Sequence, residues 1–95
     1  MYGTVARTRV TAENRPKLRE LFDRQLSGRQ ATGYVGAYLL FENDSDVAWL
    51  IAMFEDRASY EANAADPAQD AEYREYRALM EEDPEWHDGE IEAAP

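Results

Sequence analysis

VAWLIAMFEDRASY, residues 47–60, reads as a strand that turns directly into a helix. Its first eight residues, Val47 to Phe54, are all apolar, so neither face of a strand built from them suits water. Asp56 stands where a helix has free N–H groups, and its carboxylate can accept from that first turn. Alternation places Trp49, Ile51 and Met53 on one side and Leu50, Ala52 and Phe54 on the other. A sheet covered on both sides needs two covering layers, and a chain of 95 residues has little left for the second. One face is therefore expected to meet the helices and any pocket, the other a second subunit.

Working outward, Tyr34 to Phe41 is a second strand with apolar residues on both sides. Tyr34, Gly36, Tyr38 and Leu40 fall on one face; Val35, Ala37, Leu39 and Phe41 fall on the other. The turn cluster Glu42-Asn43-Asp44-Ser45-Asp46 joins it to residues 47–54, giving a hairpin of two doubly buried, central strands. Residues 2–10 alternate loosely and are rich in β-branched side chains, which predicts another strand. Arg7 and Arg9 share one of its faces and need water or carboxylates, which suggests a solvent-exposed edge.

Between these strands, Asn14 is expected to cap a helix with Pro16 in its first turn. Leu18, Leu21, Phe22 and Leu26 form its apolar stripe, and Ser27-Gly28 ends it with a glycine suited to a left-handed cap. Beyond Asp56 the pattern is helical, with a break and restart at Asp66-Pro67. The restarted helix carries Tyr73, Tyr76 and Met80 at helical spacing as core residues and ends before Pro84. Trp86 to Ile91 reads as a final, partly exposed edge strand, followed by a frayed tail from Glu92 to Pro95.

The order β-α-β-β-α-β predicts an α+β, ferredoxin-like fold in one domain over residues 1–95. Its four-stranded antiparallel sheet should carry the helices on one face. The other face would leave apolar side chains uncovered, so a homodimer that packs sheet to sheet is expected.

The formal net charge is −10, and it is concentrated in residues 55–95, which hold fourteen acidic and three basic side chains. That balance argues against nucleic acid and against anionic membranes as partners. Without cysteine, disulfides, thiol nucleophiles and Cys-zinc sites are excluded. No apolar run approaches the ~18 residues needed to span a bilayer, and a cytoplasmic location is the expectation.

The element order, the length and the wording of FEDRASYEA resemble the dimeric α/β-barrel superfamily, in its antibiotic-biosynthesis-monooxygenase-like branch. The shared features are the Phe54-Glu55-Asp56 step at the end of the third strand and the aromatic Tyr60 soon after. The resemblance implies a sheet-to-sheet dimer closing into a β-barrel, with a pocket in each subunit between helices and sheet. It also implies a cofactor-free oxidoreductase that deprotonates a phenolic, anthrone-like or polyketide-type aromatic so that the carbanion reacts with O₂. On that resemblance Tyr60 and Arg74 occupy the family's tyrosine and arginine positions. Leu50 and Phe54 stand where the family has Asn and Trp, which makes them substrate-contacting positions that depart from its pattern. The haem-degrading branch would want Asn, Trp and His where this chain has Thr8, Phe54 and Ala64, so haem is not expected.

His87, the only histidine, is the natural general base near neutral pH. On a strand it faces opposite to Asp88 and Glu90, so it forms no dyad and no metal-ligand cluster with them. The candidate catalytic residues are thus Tyr60, His87 and Arg74, and the candidate substrate-binding residues are Phe54, Leu50 and Tyr60. No cofactor and no metal are expected. Ser27, Ser45 and Ser59 have no His or acid at motif spacing, so nucleophilic catalysis is unsupported. Two functions stay open: a cofactor-independent monooxygenase of aromatic small molecules, or a non-catalytic ligand-binding or stress-associated homodimer.

Overall fold

The strand of residues 2–9 runs through the interior of the sheet. The computed structural model describes residues 1–27 and 31–94, so the expected cap at Gly28 and the last residue, Pro95, lie outside the described residues. In chain order the elements are β1 (Tyr2–Arg9), α1 (Arg15–Leu26), β2 (Tyr34–Phe41), β3 (Val47–Phe54), α2 (Arg57–Ala64), α3 (Pro67–Arg77) and β4 (Glu85–Glu90). The strands form one antiparallel sheet in the order β2-β3-β1-β4, the ferredoxin-like arrangement.

This order corrects two expectations. β1 is central, and β2, expected to be central, is an edge. The cause lies in the side chains that β1 turns inward. Thr4, Ala6 and Thr8 are small and buried, so helices can pack close above them. Thr8 is satisfied there because its hydroxyl donates to the Glu82 carbonyl at 3.0 Å. On the opposite face Arg9, whose side chain stays 42% exposed, meets carboxylates, at 2.6 Å from Asp46 and 3.4 Å from Glu82.

The core lies between the sheet and the helices. Val10, Leu18, Leu21, Ala48, Tyr76 and Met80 form it, with Phe22, Leu39, Phe41, Leu50 and Leu79 packed against it. Tyr76 and Met80 therefore hold the core role expected of them. Capping follows the sequence at two of three places. Asp56 accepts from the Ser59 N–H at 2.8 Å, and Asp66 accepts from Ala68 N–H at 2.9 Å with Pro67 opening α3. Asn14 makes no side-chain cap; its amide instead donates to the Leu79 carbonyl at 3.3 Å, tying α1 to the segment after α3.

β2 contains a bulge. Tyr34 pairs with Phe54 and Gly36 with the adjacent Met53, so Val35 is an extra residue in the ladder. The face assignments of Ala37, Leu39 and Phe41 hold, but Tyr34 moves to the helix side. The face away from the helices carries Tyr38, which is 64% exposed, with Leu40 and Val35 about half exposed. Trp49 lies on that face too, and its indole N–H donates to Glu42 at 2.6 Å. Among the described residues no helix is long and apolar enough to cross a membrane.

Candidate functional site

Between the covered face of the sheet and the helices is a cavity of about 330 Å³. That volume falls at the lower end of the range for small-molecule sites. Its floor is the inward face of β3, Leu50, Ala52 and Phe54, with Thr4 from β1 beside them. The walls are aromatic. Phe54 sits edge-on to Tyr34, with ring centroids 5.6 Å apart, and edge-on to Tyr60 at 5.8 Å. Tyr73 of α3 leans on Trp86 of β4 at 5.8 Å, forming a second aromatic wall. Carboxamides enter from Asn63 and Gln69 at the helix side.

Tyr60 is held in place from several sides. The Asp56 cap fixes the start of α2, and one turn later the Tyr60 ring wedges between Phe54 and Tyr2, whose ring centroid is 5.4 Å away. Its hydroxyl donates to Asp88 Oδ1 at 3.0 Å. Burial, followed by the hydrogen bond and charge of Asp88, pushes the Tyr60 hydroxyl up to about 12; a hydrogen bond from Thr4 acts in the opposite direction. Burial also raises Tyr73, with the Asp83 carboxylate adding to the effect.

Of the residues singled out from the sequence, Tyr60, Phe54 and Leu50 meet in this cavity. Arg74 and His87 do not line it. The Arg74 side chain is 78% exposed on α3 and pairs with Asp70 at 3.0 Å. His87 pairs with Val5 across the β1–β4 ladder, which puts it on the sheet face opposite Thr4 and the cavity. Its ring lies 2.7 Å from Glu85.

Sequence reasoning missed Asp88, Trp86, Tyr34 and Asn63. For the first two a signal existed, because alternation from His87 places Trp86 and Asp88 together on the opposite face. The β1–β4 register confirms that face as the covered one, pairing Trp86 with Ala6 and Asp88 with Thr4. Tyr34 depended on a bulge that alternation cannot show.

The family model described as antibiotic biosynthesis monooxygenase matches residues 1–74. Solved structures extend the likeness over nearly the whole chain. The monooxygenase from the ActVA-Orf6 gene of Streptomyces coelicolor, in complex with nanaomycin D, superposes with a TM-score of 0.81 at 22% identity, covering 99% of this chain and 89% of that one. SnoaB, a cofactor-independent oxygenase from Streptomyces nogalater, gives a TM-score of 0.77 at 24% identity, covering 98% and 94%. Rv0793 from Mycobacterium tuberculosis gives 0.76 at 17% identity, covering 99% and 98%. At these identities the likeness establishes the shared fold. No curated protein matches the chain significantly. With the family model spanning most of its length and this sheet-and-helix cavity in place, the chain belongs to the antibiotic biosynthesis monooxygenase family.

Proposed function

We propose that the protein is a cofactor-independent monooxygenase that oxidises a planar phenolic aromatic in this cavity. The observation that carries the reading is Tyr60, a hydroxyl fixed by Asp88 at the wall of a mainly apolar, aromatic-lined cavity. Phe54, Tyr34, Tyr73 and Trp86 would hold the rings of the substrate, by stacking and edge contacts. Leu50 and Ala52 make the floor that excludes water. Two related proteins support the chemistry: SnoaB is a cofactor-independent oxygenase, and the ActVA-Orf6 protein is a monooxygenase whose structure holds nanaomycin D.

The reaction runs in balanced steps. Loss of a proton leaves an electron pair delocalised over the aromatic anion. The anion gives one electron to O₂, and the radical pair joins as a C–O bond. The peroxide O–O bond then breaks with loss of water, so an anthrone CH₂ plus O₂ becomes a quinone C=O plus H₂O. The cavity favours the first step by confining the substrate beside Tyr60. Although Leu50 and Phe54 stand where the family has Asn and Trp, a carboxamide and an indole still reach the cavity, from Asn63 and Trp86. The second sheet face, with Tyr38, Leu40 and Val35 exposed, would be covered by a second copy of the chain.

The test is O₂ uptake with 1,8-dihydroxy-9-anthrone. The wild type should consume O₂ above the buffer rate, and Tyr60→Phe should lose about 10²-fold or more of kcat/KM. No uptake with this and related hydroquinones would overturn the reading. One observation favours a second reading: Arg74 is turned away from the cavity. A protein that binds 1,8-dihydroxyanthraquinone tightly while leaving the anthrone untouched would be a non-catalytic ligand-binding protein.

A further inference from the structure

We propose that Asp88 is a positioning residue that makes Tyr60 a proton carrier, the pair forming a relay from the cavity to a separate outer cleft beside β4. The proposal rests on the oxygenase reading above. Its basis is where the two side chains open. Tyr60 lines the cavity, whereas Asp88 lines a second depression on the far side of Tyr60, formed by the chain start, the β3–α2 turn and the end of β4. The 3.0 Å bond between them joins a residue that lines the cavity to one that lines the outer depression.

The direction of that bond fixes what Tyr60 can offer a substrate. A phenol has one hydrogen to donate, and Tyr60 gives it to Asp88. The oxygen lone pairs are then left to accept. Tyr60 therefore meets a substrate hydroxyl as an acceptor. The same surroundings hold it protonated, with its ionisation pushed up to about 12, so it carries a proton through without itself resting as an anion.

The transfer balances as follows. The substrate O–H bond breaks and its proton joins the Tyr60 oxygen, while the original Tyr60 proton moves to Asp88 Oδ1. The electron pair stays on the substrate as the phenolate, Tyr60 is neutral before and after, and Asp88 releases its proton to water in the outer cleft. Asp88 is exposed, which this last step requires. The titratable groups that face it there are the Met1 amine, Tyr2, Glu55, Asp56, Arg57, Glu90 and Glu92. Arg57 is engaged by Glu61 at 2.7 Å and lies over the Tyr2 ring, 5.6 Å from its centroid. The cleft is thus predominantly acidic.

The experiment compares the full-length wild type with Asp88→Asn, Tyr60→Phe, the double variant and Glu90→Gln. Tyrosine Cζ resonances are followed against pH by NMR, with Tyr60 identified by its loss in Tyr60→Phe. The Tyr60 midpoint should fall below about 12 in Asp88→Asn while staying above 10.0, because burial, the largest cause of the shift, is retained, and it should stay in place in Glu90→Gln. In O₂ uptake with 1,8-dihydroxy-9-anthrone, Asp88→Asn should lose about as much kcat/KM as Tyr60→Phe, about 10²-fold. The double variant should lose no more than either single one, because the two act as a unit. Multiplied losses in the double variant overturn the relay. An unmoved Tyr60 midpoint overturns it even if the wild type turns nothing over. Absence of wild-type uptake with a shifted midpoint sinks the oxygenase reading and with it the catalytic use of the relay, while the coupling of the two groups stands.

Discussion

Tyr34 pairs with Phe54 across the β2–β3 ladder and sets its ring edge-on against the Phe54 ring, 5.6 Å between centroids. The extra residue Val35 makes this pairing possible by shifting Tyr34 onto the helix side of the sheet. The aromatic wall that meets Tyr60 is therefore built by a backbone irregularity at an edge strand. Tyr34→Ala should cost about 1 kcal/mol in urea unfolding from the lost ring pair. It should also weaken 1,8-dihydroxyanthraquinone binding in a fluorescence titration. Unchanged binding would remove Tyr34 from the site.

Gly3 is constrained by a neighbouring backbone. A Cβ at residue 3 would stand 1.9 Å from the Ala52 carbonyl oxygen and 3.0 Å from its carbon, and neither atom can move without opening the β1–β3 ladder. Gly3→Ala is expected to destabilise the protein by roughly 2–4 kcal/mol, read as a lower urea midpoint with the slope unchanged. Because Ala52 is part of the cavity floor, ligand affinity should fall with it.

The cap of α2 gives a pH-dependent prediction. Asp56 is held below its ordinary value of 3.8, first by the Ser59 backbone hydrogen bond and then by the Ser59 side chain. A depressed folded-state value means that the carboxylate's contribution is fully present above 3.8 and is lost as pH falls through the lower folded value. Asp56→Ala should therefore lower the melting temperature at neutral pH, and the gap from wild type should narrow on acidification below 3.8. A gap that persists unchanged into acid would show that the cap acts without its charge.

The uncovered sheet face predicts assembly. Leu40 and Tyr38 alternate with the inward Leu39 and Phe41 on β2, so they project from the face away from the helices. Light scattering should find a dimer at micromolar concentration. Leu40→Glu should shift it to monomer, because a carboxylate buried at the centre of an apolar interface is unpaired. A wild-type monomer would contradict the proposed second copy.

How far the sequence foretold this molecule depends on which force each residue reports. The apolar run 47–54 and the Asp56 and Asp66 caps were legible because each is a local pattern with a local cause. The order of the strands was not. β1 hides its central position behind Thr4, Ala6 and Thr8, small residues that look unremarkable until helices are packed on them. The carboxylates that meet Arg9, Asp46 and Glu82, could not be named from the sequence because they lie 37 and 73 positions away in the chain. At the site, Phe54, Leu50 and Tyr60 were found because they adjoin the decisive stretch. Asp88 and Trp86 were hidden because the titratable ring between them, His87, faces the other side of the sheet.

Isotope labelling tests the central claim most directly. 1,8-Dihydroxy-9-anthrone is turned over under ¹⁸O₂ in ordinary water, and the quinone product is weighed by mass spectrometry. The account predicts one ¹⁸O atom in the quinone, formed well above the buffer rate by the wild type and lost in Tyr60→Phe. A product formed no faster than in buffer, or equally fast without the Tyr60 hydroxyl, would contradict it.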